Sequence, residues 1–147
     1  MPKIKIAPSI LSADLSKINK EIKEVEKYAD LIHVDIMDGI FVPPAAVDAD
    51  FVKAIKTKVL LDVHLMVHEP SDSYINGFIK AGASSITIHE EACREPSKQI
   101  SFIRKNKVKA AISIKPKTSL DKIKKYLGMV DMVLIMTVEP GWAGQKF

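Results

Sequence analysis

Short β-rich runs, each followed by an amphipathic stretch, recur along this chain roughly every 25 residues, the length of one βα unit. Strands are expected at Lys3–Pro8, Leu31–Met37, Leu60–Met66, Ser85–His89, Ala110–Ile114 and Met132–Thr137. Between them, Leu15, Ile18, Ile22 and Val25 recur at helical spacing and predict a helix over about 14–28, capped by Ser12 or Asp14. A helix after Pro70 has Ser71 as its cap and Tyr74, Phe78 and Ile79 on one face. Another runs from Thr118-Ser119 to Gly128, a suitable C-cap. Such strict alternation predicts an α/β fold, a parallel sheet covered by helices.

An open doubly wound sheet and a closed barrel both satisfy that pattern, and the strand interiors separate them. Strands buried on both faces read as continuous Val, Ile and Leu. Here Ile32, Val34 and Ile36 share one face while His33, Asp35 and Met37 share the other; Leu61, Val63, Leu65 and Val67 alternate in the same way with Asp62, His64 and Met66. No glycine-rich dinucleotide loop follows the first run. A polar, methionine-lined face beneath an apolar one predicts a (β/α)8 TIM-barrel interior. Such barrels have eight strands and typically about 250 residues. The 147 residues supply about six βα units, so residues 1–147 are expected to form a single incomplete barrel domain with its first and sixth strands as edges.

Composition narrows the partners. The net charge is +4, but the lysines are spread over helix faces, which fits a solvated surface rather than a nucleic-acid patch. Mild positive charge suits an anionic substrate. Cys93 is the single cysteine, which rules out an internal disulfide and points to a reducing compartment. No segment is apolar for long enough to span a membrane, and Met1–Lys5 does not open a signal peptide. A cytoplasmic protein without nucleic-acid or membrane partners is expected.

The chemistry concentrates in His33-Val-Asp35-Ile-Met37 and Asp62-Val-His64-Leu-Met66. Residues at i and i+2 of a strand point the same way, and a neighbouring strand offering His64 at similar height makes a His–Asp–His cluster. Imidazole and carboxylate are ligands for Zn²⁺, Mn²⁺ or Fe²⁺. A single strand histidine is more often an ordinary core residue, but a buried Asp35 costs several kcal/mol unless a metal or cation accompanies it. Met37, Met66 and Met136 share that face, either as gap-fillers or as a soft substrate floor. Ser9 ends the first run, as a turn hydroxyl or a substrate contact. Gly141 and Gly144, in Glu139-Pro-Gly-Trp-Ala-Gly-Gln145, can turn backbone N–H groups toward a phosphate. His89 and Glu91 are read as structural residues at the rim, and His68 as a surface residue.

At these residues the chain resembles the ribulose-phosphate 3-epimerase family. The matching segments are Lys5–Leu11, His33–Pro43, Asp62–Val67, Ala81–Ala83, His89–Ala92 and Met136–Phe147, in order along essentially the whole chain. The resemblance implies an eight-stranded barrel, a homo-oligomer (dimer or larger), and interconversion of D-ribulose 5-phosphate and D-xylulose 5-phosphate through an enediolate. It implies a divalent cation, Zn²⁺ foremost with Fe²⁺, Mn²⁺ or Co²⁺ as alternatives, on His33, Asp35 and His64. Asp35 would be one catalytic acid/base group, and the family's second sits on a seventh strand that this chain lacks. Ser9, His64, Met37, Met66 and Met136 would line the substrate, and Gly141, Trp142, Ala143 and Gly144 would help hold its phosphate. The family usually continues Phe-Val-Pro with Asn and a Thr–Gly stretch, where this chain has Pro44-Ala-Ala-Val-Asp48.

Other readings stay open at this point. The chain can be a non-catalytic or split-barrel fragment needing a C-terminal partner, or an epimerase for a six-carbon ketose phosphate. A related barrel lyase would want a lysine near a strand end, and Lys115 is the sole candidate.

Overall fold

The structure is a computed structural model that describes residues 4–147. Its centre is a sheet of β1 (Leu31–Asp38), β2 (Ala45–Ala46), β3 (Leu60–Met66), β4 (Ala83–His89), β5 (Lys109–Ile114) and β6 (Met132–Ile135) in the order β2-β1-β3-β4-β5-β6. Every pairing is parallel except β1 with β2. The helices are α1 (Ile18–Val25), α2 (Ala49–Ala54), α3 (Asp72–Lys80) and α4 (Pro96–Lys105).

The apolar alternation explains the packing. Ile32, Val34, Ile36, Val63, Leu65, Ile86, Ile88 and Ile112 are buried on one face of the sheet, against Ile22, Ile75, Phe78, Ile100 and Ile103 from the helices. Each such fully buried side chain contributes about 1.5–3 kcal/mol. Ser71 caps α3 by accepting from the Tyr74 N–H at 3.2 Å, and Asp48 caps α2 by accepting from the Phe51 N–H at 2.9 Å. Among the described residues, no helix is long and apolar enough to cross a membrane.

Several expectations need correction. Lys3 lies outside the described residues, and 4–8 is extended without being a strand. It still runs along β1, where His33 N–H donates to Pro8 O at 2.9 Å and Ile10 N–H to His33 O at 3.1 Å. It therefore bonds to the start of the β1 edge, and β2 pairs with Met37 and Asp38 at its end. β2 arises from the departing loop: Gly39 takes a left-handed φ of 73°, and Asp38 Oδ1 accepts from Ile40 N–H and Phe41 N–H at 2.8 and 2.9 Å. The 14–28 helix is α only over α1, with tighter 3₁₀ turns at either end, and Asp14 rather than Ser12 caps it. Ile18 and Ile22 are buried, while Leu15 and Val25 remain partly exposed. In α3 the buried pair is Ile75 and Phe78; Tyr74 faces out. The 118–128 helix is replaced by two 3₁₀ turns, Leu120–Lys122 and Lys124–Tyr126, which bury Ile123 and Tyr126. β6 stops at Ile135, so Met136 and Thr137 begin the following loop.

Candidate functional site

Strand register brings the chemistry together. β1 and β3 align so that His33 stands beside Asp62, Asp35 beside His64 and Met37 beside Met66. β4 then places Thr87 beside His64. Because side chains alternate along a strand, all of these lie on the face opposite the helices.

Asp35 is the meeting point. Its Oδ1 lies 3.1 Å from His64 Nδ1 and 3.3 Å from His33 Nε2. Its Oδ2 accepts from the Ser9 hydroxyl at 2.6 Å. The remaining ring nitrogen of each histidine is held from outside. His33 Nδ1 is 2.8 Å from Asp62 Oδ2, while Asp62 Oδ1 accepts from the Ser85 hydroxyl at 2.5 Å. His64 Nε2 is 2.8 Å from His89 Nε2. One ligand atom from each of His33, Asp35 and His64 fits within 4.8 Å of the others. Two inward nitrogens with outer partners, around one carboxylate, suit a divalent cation of borderline softness.

The same contacts set the charges of the cluster. Burial opposes charge on His33, but its contacts with Asp35 and Asp62 outweigh that and raise its pKa to about 10. Burial also opposes charge on Asp35, yet its contacts, those with His33 foremost, hold its carboxyl far below the usual range. His64 is pushed down to about 4, chiefly by burial, so it is neutral at pH 7. Thr87 Oγ1 is buried on the same face without a hydrogen-bond partner among the described residues.

A depression of about 280 Å³ opens over the cluster, lined by Ser9, His33, Asp35, His64, Met66, Met136, Gly141, Trp142 and Ala143, together with Leu11, Ser12, Leu134 and Glu139. A second depression of about 410 Å³, between residues 8–13 and α1, holds none of the three ligating side chains. Met37 does not line the cluster's depression; it packs with Met66 and Val42 in a small apolar group. Gly144 also stays outside its lining. The left-handed φ of 109° at Gly141 and 71° at Gly144 accounts for glycine at both positions. A Cβ on Gly141 would stand 3.1 Å from Val42 Cβ, so the loop after β6 packs tightly on the loop after β1. The Gln145 side-chain amide braces that loop, donating to Glu139 O at 2.7 Å and Trp142 O at 2.9 Å. His68 is exposed, as expected. Lys115 places its ammonium 4.2 Å over the Phe41 ring rather than into the depression, which gives the lyase reading no support.

Sequence reasoning undervalued four residues. Asp62 and Ser85 hold His33 from outside, and His89 with Glu91 continue the contacts of His64. The period of two already set Asp62 on the site face, but nothing in one sequence says that its carboxylate meets His33.

The profile of the ribulose-phosphate 3 epimerase family matches residues 5–147. The chain belongs to the ribulose-phosphate 3-epimerase family. Its relatives include the ribulose-phosphate 3-epimerase of Bacillus subtilis (strain 168), 48% identical over 147 residues, covering 98% of this chain and 67% of that protein. Those of Synechocystis sp. and Chlamydia trachomatis are 46% and 41% identical, over 98% and 97% of this chain and 64% and 62% of their own lengths. The chain thus spans about two thirds of the length of these epimerases. The parallel sheet with helices on one face agrees with the TIM-barrel fold of the family.

Proposed function

We propose that the chain carries the cation site and one of the two proton-transfer groups of an enzyme that interconverts D-ribulose 5-phosphate and D-xylulose 5-phosphate. The observation that carries this reading is the convergence of His33 and His64 on the buried Asp35 carboxylate beneath a methionine-lined depression. The C3 proton lies next to the C2 ketone, so its removal yields an enediolate. A divalent cation at the cluster, Zn²⁺ foremost, supplies Lewis acidity for the negative charge that develops. Asp35, kept ionised by its contacts, those with His33 foremost, and oriented by Ser9, is positioned to take that proton on one face. Met66 and Met136 offer an apolar surface to the sugar, and Gly141–Ala143 close the side where a phosphate would enter. Inversion needs a second group on the opposite face, which the family resemblance assigns to a seventh strand. The names of the relatives favour the five-carbon substrate over a six-carbon ketose phosphate. A cytoplasmic homo-oligomer accompanies this reading, and sedimentation would report its size.

The test is incorporation of deuterium at C3 of ribulose 5-phosphate in D₂O, followed by NMR with the Zn²⁺- or Co²⁺-loaded chain. Exchange is expected, with xylulose 5-phosphate formed once a second proton-transfer group is supplied. No exchange by a folded, cation-loaded chain would overturn the proposal.

A further inference from the structure

Three contacts run in series from Asp35 to Glu91. Asp35 Oδ1 faces His64 Nδ1 at 3.1 Å, His64 Nε2 faces His89 Nε2 at 2.8 Å, and His89 Nδ1 faces Glu91 Oε2 at 3.2 Å. An imidazole that carries a single proton owns one N–H. Two of the three contacts can therefore hold a hydrogen bond, and one is left without a proton. Which one is left bare decides whether His64 has a lone pair to offer a cation.

We propose that Glu91, acting through His89, keeps the proton of His64 on Nε2 and so leaves Nδ1 open as a ligand. The inference rests on the cation reading of the cluster given above. A carboxylate only accepts, and Asp35 Oδ1 also faces His33 Nε2 at 3.3 Å whereas Glu91 Oε2 is turned to His89, so Glu91 has the stronger claim and draws the His89 proton to Nδ1. His89 Nε2 is then an acceptor and takes the N–H of His64 Nε2. The gap without a proton falls between His64 Nδ1 and Asp35, where the ligating atoms converge.

The orientation of Glu91 is set by the fold. Its Oε1 accepts from the Lys115 N–H at 2.7 Å and from the Thr118 hydroxyl at 2.5 Å. That leaves Oε2 for His89. The His89 ring is fully buried, stacked on His64 at 4.9 Å and lying against Phe41 at 4.8 Å. Glu91 is thus a positioning residue, two strands away from the Asp35 it serves.

Glu91→Gln separates this role from a structural one. The two donors at Oε1 keep the amide oxygen in place, so the amide nitrogen turns to His89 and donates. Polarity then reverses along the chain: His89 donates from Nε2, His64 accepts at Nε2, and its proton moves to Nδ1. Shape and volume are unchanged, so a merely structural Glu91 predicts a silent substitution. With four histidines in the sequence, ¹⁵N-histidine labelling and two-bond ¹H–¹⁵N correlation resolve each tautomer. The wild-type chain is expected to carry the His89 proton on Nδ1 without metal, and the His64 proton on Nε2 with Zn²⁺. The variant is expected to carry the His89 proton on Nε2 and to bind Zn²⁺ about 10–100-fold more weakly, measured by competition with a chromophoric chelator. A wild-type His89 with its proton on Nε2 overturns the inference without any variant, as does a folded Glu91→Gln chain with unchanged Zn²⁺ affinity. If the wild-type chain takes up no Zn²⁺, the cation reading fails, and the His89 tautomer still decides this one.

Discussion

Binding of a divalent cation at His33, Asp35 and His64 is predicted to expel one proton from the chain. That proton belongs to His33. Burial disfavours its charge, but Asp35 and Asp62, 3.3 and 2.8 Å away, outweigh burial and raise its pKa to about 10. A cation needs the neutral ring, so the proton must leave. His64, at about 4, is already neutral and has no excess proton to lose. Between pH 6 and 8 the affinity for Co²⁺ should therefore rise about tenfold per pH unit, about 1.4 kcal/mol each. Calorimetric titration in buffers of different ionisation enthalpy counts the released protons directly. The same ionisation acts on the metal-free fold with a defined sign. A raised folded-state pKa contributes stability that is fully present below the unfolded value of about 6.5 and is lost as pH climbs through about 10. Thermal stability of the metal-free chain should fall across that window, and cation loading should remove the dependence. Release of no proton, with an affinity flat from pH 6 to 8, would mean that His33 is neutral in the folded chain and that this account of the cluster is wrong.

Asp35→Asn removes the carboxylate that anchors the histidines and is proposed to take the substrate proton; C3 exchange in D₂O should drop by at least about 100-fold, and retained exchange would exclude Asp35 as the base. Phe78→Ala empties a fully buried position between α3 and the sheet and should cost about 3–5 kcal/mol in urea unfolding; a loss below about 1 kcal/mol would show that the layer collapses onto the cavity. Burial, with Glu69 and Glu90 nearby, pushes the Cys93 thiol up to about 12, so an aromatic disulfide reagent at pH 8 should label it slowly in the folded chain and rapidly in denaturant.

The parts of this molecule that were legible in its sequence are those governed by one repeating geometry. Alternation in 31–37 and 60–66 assigned His33, Asp35 and His64 to one face because a strand offers a side chain only two directions. Parallel register then made them neighbours, and the burial of Ile32, Val34, Val63 and Leu65 holds that register against slippage. The illegible parts depended on partners far away in the chain. Residues 4–8 satisfy the pattern of a strand but carry only part of a ladder along β1. The stretch after Thr118 has apolar spacing for a helix, yet Ile123 and Tyr126 are buried by two short 3₁₀ turns. Helix propensity over so few residues is weak enough for packing to override it. The outer partners of the cluster illustrate the same limit at the level of chemistry. Alternation puts Asp62 on the site face and Glu91 at its rim, but only the fold sets one carboxylate 2.8 Å from His33 and the other 3.2 Å from His89. Those distances, which no local pattern encodes, select the ring nitrogens that remain free to face Asp35.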